Sequence, residues 1–160
     1  MDFIKLPEND VIKIGIKDSK GNDTGEHLEF DLEDFTLLKR LNQMRINHTR
    51  NLQYYDNQNL ILSKKQDYTP KNSMFTYKEL RQIEIAEEFC KKEMETIDLF
   101  IGEGKTQMIL DLIGRKPYLT MFNDIYKMLE PITPIIEKEK NKLEDKIKEK
   151  YDTKESNILE

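Results

Sequence analysis

Residues Ile97–Ile125 read IDLFIGEGKTQMILDLIGRKPYLTMFNDI, and two incompatible folds can be drawn from them. The GEGKT core invites a nucleotide-binding reading, with a phosphate-binding loop at its centre. That loop is G-x-x-x-x-G-K-[ST] between a strand and a helix. Gly104-Lys105-Thr106 would then require a glycine at position 99, which is Leu99. The residues before it repeat at helical rather than strand spacing, so no turn of backbone N–H groups is placed to wrap a phosphate. The stretch reads instead as a helix ending at Gly102, a short helix carrying Met108, Ile109, Leu112 and Ile113 that stops at Gly114, and a further helix with Pro117 in its first turn.

Working back towards the N-terminus, the helix that ends at Gly102 has a clear start. Thr76 and Glu79 form a capping box, flanked by Phe75 and Leu80 at the hydrophobic-staple positions. Its apolar seam is Leu80, Ile83, Ala86, Cys90, Met94, Ile97 and Ile101, at spacings of three and four. Lys64–Ser73 is the main loop. Before it, a first helix begins near Asp34 with Leu37, Leu38, Leu41, Met44 and Leu52 on one face. Its continuation through Asn51, Gln53, Asn57, Gln58 and Asn59 is left open.

At the N-terminal end the period changes to two. Ile12, Ile14 and Ile16 oppose Lys13 and Lys17, and Leu28, Phe30 and Leu32 oppose His27, Glu29 and Asp31. With Gly21-Asn22-Asp23 and Gly25 between them, residues 11–32 form a β-hairpin with a loop longer than two residues. An isolated hairpin is marginal in water, so it packs on helices or pairs with another chain. Towards the C-terminus, Leu119, Phe122, Ile125, Tyr126 and Leu129 line the fourth helix, and Pro131 and Pro134 kink or break it. Residues 137–160 are a charge-laced helix with a thin stripe of Leu143, Ile147 and Tyr151, fraying into a disordered end. The fold expected is α+β and mostly α-helical: an N-terminal β-hairpin, then about four helices, the last extending into a charged tail. Residues 1–136 form a single domain and 137–160 a helical or partly disordered tail.

Composition narrows the function. Of the 160 residues 37% are hydrophobic and 36% charged, which suits an elongated helical protein with a thin core. A net charge of -5 argues against general nucleic-acid affinity. Cys90, the single cysteine, reads as a buried thiol in a reducing cytoplasm. No apolar run is long enough to span a membrane, and MDFIKLPEND does not read as a signal peptide. His27 and His48 lack companions at metal-ligand spacing, and Cys90 lacks a nearby histidine. No cofactor, metal or catalytic residue is indicated, and an enzyme is the class with least support. Lys39, Arg40, Arg45 and Arg50 run without an acid between them, which is a solvated helix face or a contact for phosphate.

The run Asp98-Leu99-Phe100-Ile101-Gly102-Glu103-Gly104-Lys105-Thr106, then Ile109 and Gly114-Arg115-Lys116-Pro117, resembles the tail assembly chaperones of tailed phages and prophages of Gram-positive bacteria. In those proteins an acidic-aromatic helix end meets F-G-E-G-T and a second glycine turn before the last helix. Leu28-Glu29-Phe30-Asp31-Leu32 matches the strand that precedes their first helix. The chain departs from the pattern at Ile101, where an aromatic is usual, and at Lys105, an insertion before Thr106. The resemblance implies a non-enzymatic protein that coats the long helical tape measure protein in the bacterial host cytoplasm, with the tail tube protein as a further contact. It also implies a homo-oligomer that is absent from the mature virion, without membrane or nucleic-acid partners. The expected partner-binding residues are Ile12, Ile14, Leu28 and Phe30 on the hairpin, and Phe100, Ile101, Met108, Ile109, Phe122 and Met128 on the helices, with core packing the competing role for each. The alternatives are a phage virion component of tail or head completion and a nucleic-acid-binding regulator acting through Lys39–Arg50.

Overall fold

The computed structural model describes residues 1–8 and 10–159, with side chains as far as Asp152. The fold is α+β and mostly helical. A hairpin of β1 (Val11–Lys17) and β2 (Asp23–Asp31) precedes helices α1 (Leu37–Ser63), α2 (Tyr77–Ile101), α3 (Lys105–Ile113), α4 (Met121–Leu129) and α5 (Ile132–Leu159).

Alternation in sequence becomes facing pairs in the sheet. Ile12 pairs with Phe30 and Ile14 with Leu28 in an antiparallel ladder, so the apolar residues share one face. The register shifts between Gly15 and Lys17, and β2 begins at Asp23, within the expected loop. The turn is tight because Asp18 accepts hydrogen bonds from the backbone N–H groups of Lys20 and Asn22, each at 2.9 Å. The Asn22 bond, foremost among these, holds the Asp18 carboxyl below its ordinary pKa. The hairpin's apolar face closes on the helices, with the Phe30 and Phe100 rings 5.1 Å apart.

Helices α1 and α2 are long antiparallel partners, each about 40 Å by the rise per residue. The amide-rich half of α1 stays helical to Ser63 because its polar side chains bind α2. Asn51 reaches Glu93 and Thr96, Tyr54 reaches Glu88, and Gln58 meets Arg81. The first helix starts three residues later than Asp34. Asp34 instead accepts from the Thr36 N–H at 2.9 Å and its hydroxyl at 2.6 Å, and pairs with Arg40 at 2.7 Å. Leu37, Leu41 and Met44 are buried as the face requires, whereas Leu38 and Leu52 are exposed.

Thr76 caps α2 by accepting from the Glu79 N–H at 3.2 Å. At the far end Gly102 takes φ 114° and Gly104 takes φ 77°, backbone that favours glycine, and the chain turns there into α3. Pro117 is not in the first turn of α4. That helix begins at Met121 after the N-cap Thr120, and Pro117 belongs to an irregular connector running from Arg115 to Tyr118. A proline serves an extended connector as well as a first turn, since it fixes φ and needs no N–H partner. Helix α4 ends at Leu129 with Glu130 as its C-cap, and Pro134 is accommodated in the first turn of α5, where its missing N–H has no intrahelical role. Ile132 and Ile136 dock α5 on the body, and Leu143 is the last residue partly packed against the core. The tail expected to fray is helical as far as Leu159, and Glu160 and the side chains after Asp152 lie outside the described residues.

Candidate interaction site

Helix α2 is apolar on two sides. Its core side is Ile85, Phe89, Ile97, Phe100 and Ile101, with Glu93 and Thr96 buried among them. The seam expected from sequence divides: Ile97 and Ile101 are core, whereas Ile83, Ala86, Cys90 and Met94 form the floor of an open groove of about 750 Å³. The other wall is the connector, with Pro117, Tyr118 and Leu119. Charges rim it: Glu87, Lys91 and Glu95 at successive turns of α2, Asp98 at its end, and Lys116 on the connector. Burial, then the charges of Glu93 and Glu87, push the Cys90 thiol pKa up, so the thiol contributes apolar surface rather than a nucleophile.

Most of the residues expected to meet a partner are structural. Leu28, Phe30, Phe100, Ile101, Ile109 and Phe122 are at most 3% exposed, so their side chains have no area left for a second protein. Ile12, Ile14 and Met108 are half-buried against the same core. Only Met128 is exposed, and with Ile109, Leu112 and Ile113 it lines a small cleft of about 170 Å³ beside the hairpin turn. The reason is geometric: one apolar hairpin face and the surrounding helices supply the single core between them. The outer edge of β1 pairs with no strand among the described residues.

The GEGKT turn is closed by the protein itself. Asp98 accepts from the Gly104 N–H at 3.0 Å, the Thr106 N–H at 2.9 Å and the Thr106 hydroxyl at 2.6 Å. Its carboxylate occupies the position at the α3 N-terminus where an anionic ligand would sit.

Sequence reasoning missed a buried polar cluster. Glu93, fully buried, accepts from His48 Nδ1 and from Asn51 Nδ2, each at 2.7 Å. The His48 ring lies 4.1 Å from the ring of Tyr126. The Tyr126 hydroxyl is buried close enough to Glu93 to feel its charge. Burial first, and the Glu93 carboxylate second, raise the phenol's pKa far above its ordinary value. His48 and Glu93 lie 45 residues apart, and a glutamate among acids on a helix gives no sign of being the buried one. His27 is a surface residue whose Nε2 lies 2.8 Å from Glu29 Oε1, and this contact is foremost in lowering the Glu29 pKa. Of the basic run, Arg40 is paired with Asp34, while Lys39, Arg45 and Arg50 are exposed.

Among the described residues no three His, Cys, Asp or Glu side chains converge as a metal site, and no helix is long and apolar enough to cross a membrane. Comparison with protein-family models, curated proteins and solved structures finds no match.

Proposed function

We propose that the chain is a non-enzymatic assembly chaperone that holds helical segments of a long partner. The partner in this reading is the tape measure protein of a tailed phage, and the setting is the cytoplasm of a bacterial host before the virion is complete. The observation that carries the reading is the groove along α2. It has the elongated form that an amphipathic helix fills, with apolar anchors recurring at helical spacing. Met94 on its floor has the unbranched, polarisable side chain that adapts to partners of varied sequence, as a coat on a long helix requires. The alternating rim of Glu87, Lys91 and Glu95 suits helices carrying either sign of charge. The sequence resemblance at Asp98–Thr106 and Leu28–Leu32 supplies the identity of the partner, and the groove supplies the means of holding it.

The test is coexpression with the long helical protein encoded beside this chain, followed by size exclusion with light scattering. A soluble complex holding several copies of the chain per partner is expected, and Ile83→Glu, a change at an exposed groove position, is expected to abolish it while leaving the circular dichroism spectrum unchanged. A lone chain beside an insoluble partner, or a complex indifferent to Ile83→Glu, would remove the proposal.

A further inference from the structure

The chain carries an apolar segment that none of its described residues covers. Before β1 the sequence is Asp2-Phe3-Ile4-Lys5-Leu6-Pro7-Glu8, and Phe3 is 87% exposed, Ile4 93% and Leu6 80%. Singly exposed apolar residues are ordinary, but three within four positions on an extended strap are a surface that association would bury. The strap's end is fixed, because the Leu32 N–H donates to the Asp10 carbonyl at 2.8 Å and ties it to the base of the hairpin. Pro7 has no N–H to extend the β1 ladder, and it keeps Leu6 out of helical backbone. The strap is therefore presented with its apolar side chains exposed.

The same molecule displays an open apolar groove long enough to take it. From Ile83 to Met94 its floor is about 16 Å long by helix rise. Phe3 to Leu6 spans about 10 Å in extended form. Charge agrees as well: Lys5, between Ile4 and Leu6, would face the Glu87 and Glu95 rim, and Asp2 would face Lys91 or Lys116. In the single chain the strap lies free, so the groove of its own molecule does not take it.

We infer that the α2 groove of one copy binds the Phe3-Ile4-Leu6 strap of a second copy. The contact is heterologous, strap to groove, so each molecule offers one of each and association continues head to tail. The inference rests on the proposed function only in sharing its groove: the strap occupies the site until a partner helix displaces it.

Light scattering across a concentration series tests it. The wild-type mass rises above the 19.1 kDa of one chain as concentration increases. A strap variant, Ile4→Asp with Leu6→Asp, and a groove variant, Ile83→Glu with Met94→Glu, each remain at single-chain mass. Their equimolar mixture does not, because the strap variant keeps an intact groove and the groove variant an intact strap; it forms dimers and stops there. A wild type that stays monomeric, a strap variant that still associates, or a silent mixture overturns the inference. The strap substitutions lie on fully exposed residues, so folding is not at stake in that arm. A monomeric strap variant that still solubilises the long helical partner upholds both proposals. Strap-dependent association beside an insoluble partner upholds this inference and removes the function.

Discussion

Replacing His48 with leucine should be among the most damaging single changes in the protein, and replacing its partner Glu93 should be milder. The two residues share one contact, His48 Nδ1 to Glu93 Oε2 at 2.7 Å, but their surroundings differ: the His48 side chain is 22% exposed and that of Glu93 is 0%. Without His48, a carboxylate with no access to water keeps only neutral neighbours, the Asn51 amide first among them. Stranding a buried charge in this way costs about 3–5 kcal/mol. Without Glu93, the imidazole can turn to solvent and Asn51 keeps its 3.0 Å bond to Thr96, so the loss is nearer that of an unmade hydrogen bond, about 1–3 kcal/mol. The double replacement by leucine removes both polar groups and should cost less than His48→Leu alone. Urea unfolding followed by circular dichroism resolves these differences. With a slope of about 2 kcal/mol per molar, a loss of about 4 kcal/mol moves the midpoint by about 2 M. An order in which Glu93→Leu is worse than His48→Leu, or a double variant whose cost equals the sum of the singles, would refute the account of this cluster.

Gly102→Ala should lower stability by about 1–3 kcal/mol, seen as a reduced thermal midpoint, because φ at this position is 114° and the added Cβ would lie 3.3 Å from Lys105 Cγ. Cys90 should react with a disulfide reagent more slowly than free cysteine, and its rate should still be climbing with pH where a free thiol has levelled off, since its thiol pKa is raised. A partner helix in the groove should slow it further. The Asp34 carboxyl is held below 3.8, first by the Thr36 hydroxyl and then by its backbone N–H. A depressed carboxyl stabilises the fold above its unfolded value and loses that contribution as pH falls through the folded one. Asp34→Asn should therefore flatten the decline of stability measured by urea unfolding below about pH 4.

The hairpin was legible because a period of two with charges on the alternate positions has few other solutions, and the start and end of α2 because Thr76 and Gly102 each satisfy a local backbone demand. The faces of α2 were not. Ile83, Ala86, Cys90 and Met94 repeat as regularly as Ile85, Phe89, Glu93 and Ile97, and the set that lies in the core is the one carrying a glutamate. Only the partner helix decides between them, since His48 and Asn51 arrive from α1 to satisfy Glu93. Six of the residues expected to meet a partner are buried for the same reason: strong apolar periodicity marks burial within the chain. Exposure to a partner needs no such pattern, and the exposed Phe3, Ile4 and Leu6 show no periodicity.

The way α5 is attached has a consequence for how that helix comes into being. Its first turns are held by Ile132 and Ile136, its last packed residue is Leu143, and from Glu144 to Asp152 every side chain is exposed. An isolated helix fails chiefly at nucleation, whereas adding residues to a formed turn is nearly free. The docked turns are thus the seed from which the solvated remainder grows. Undocking Ile136 would erase helix far beyond its own neighbourhood, while Lys148→Gly would unwind only the residues C-terminal to it.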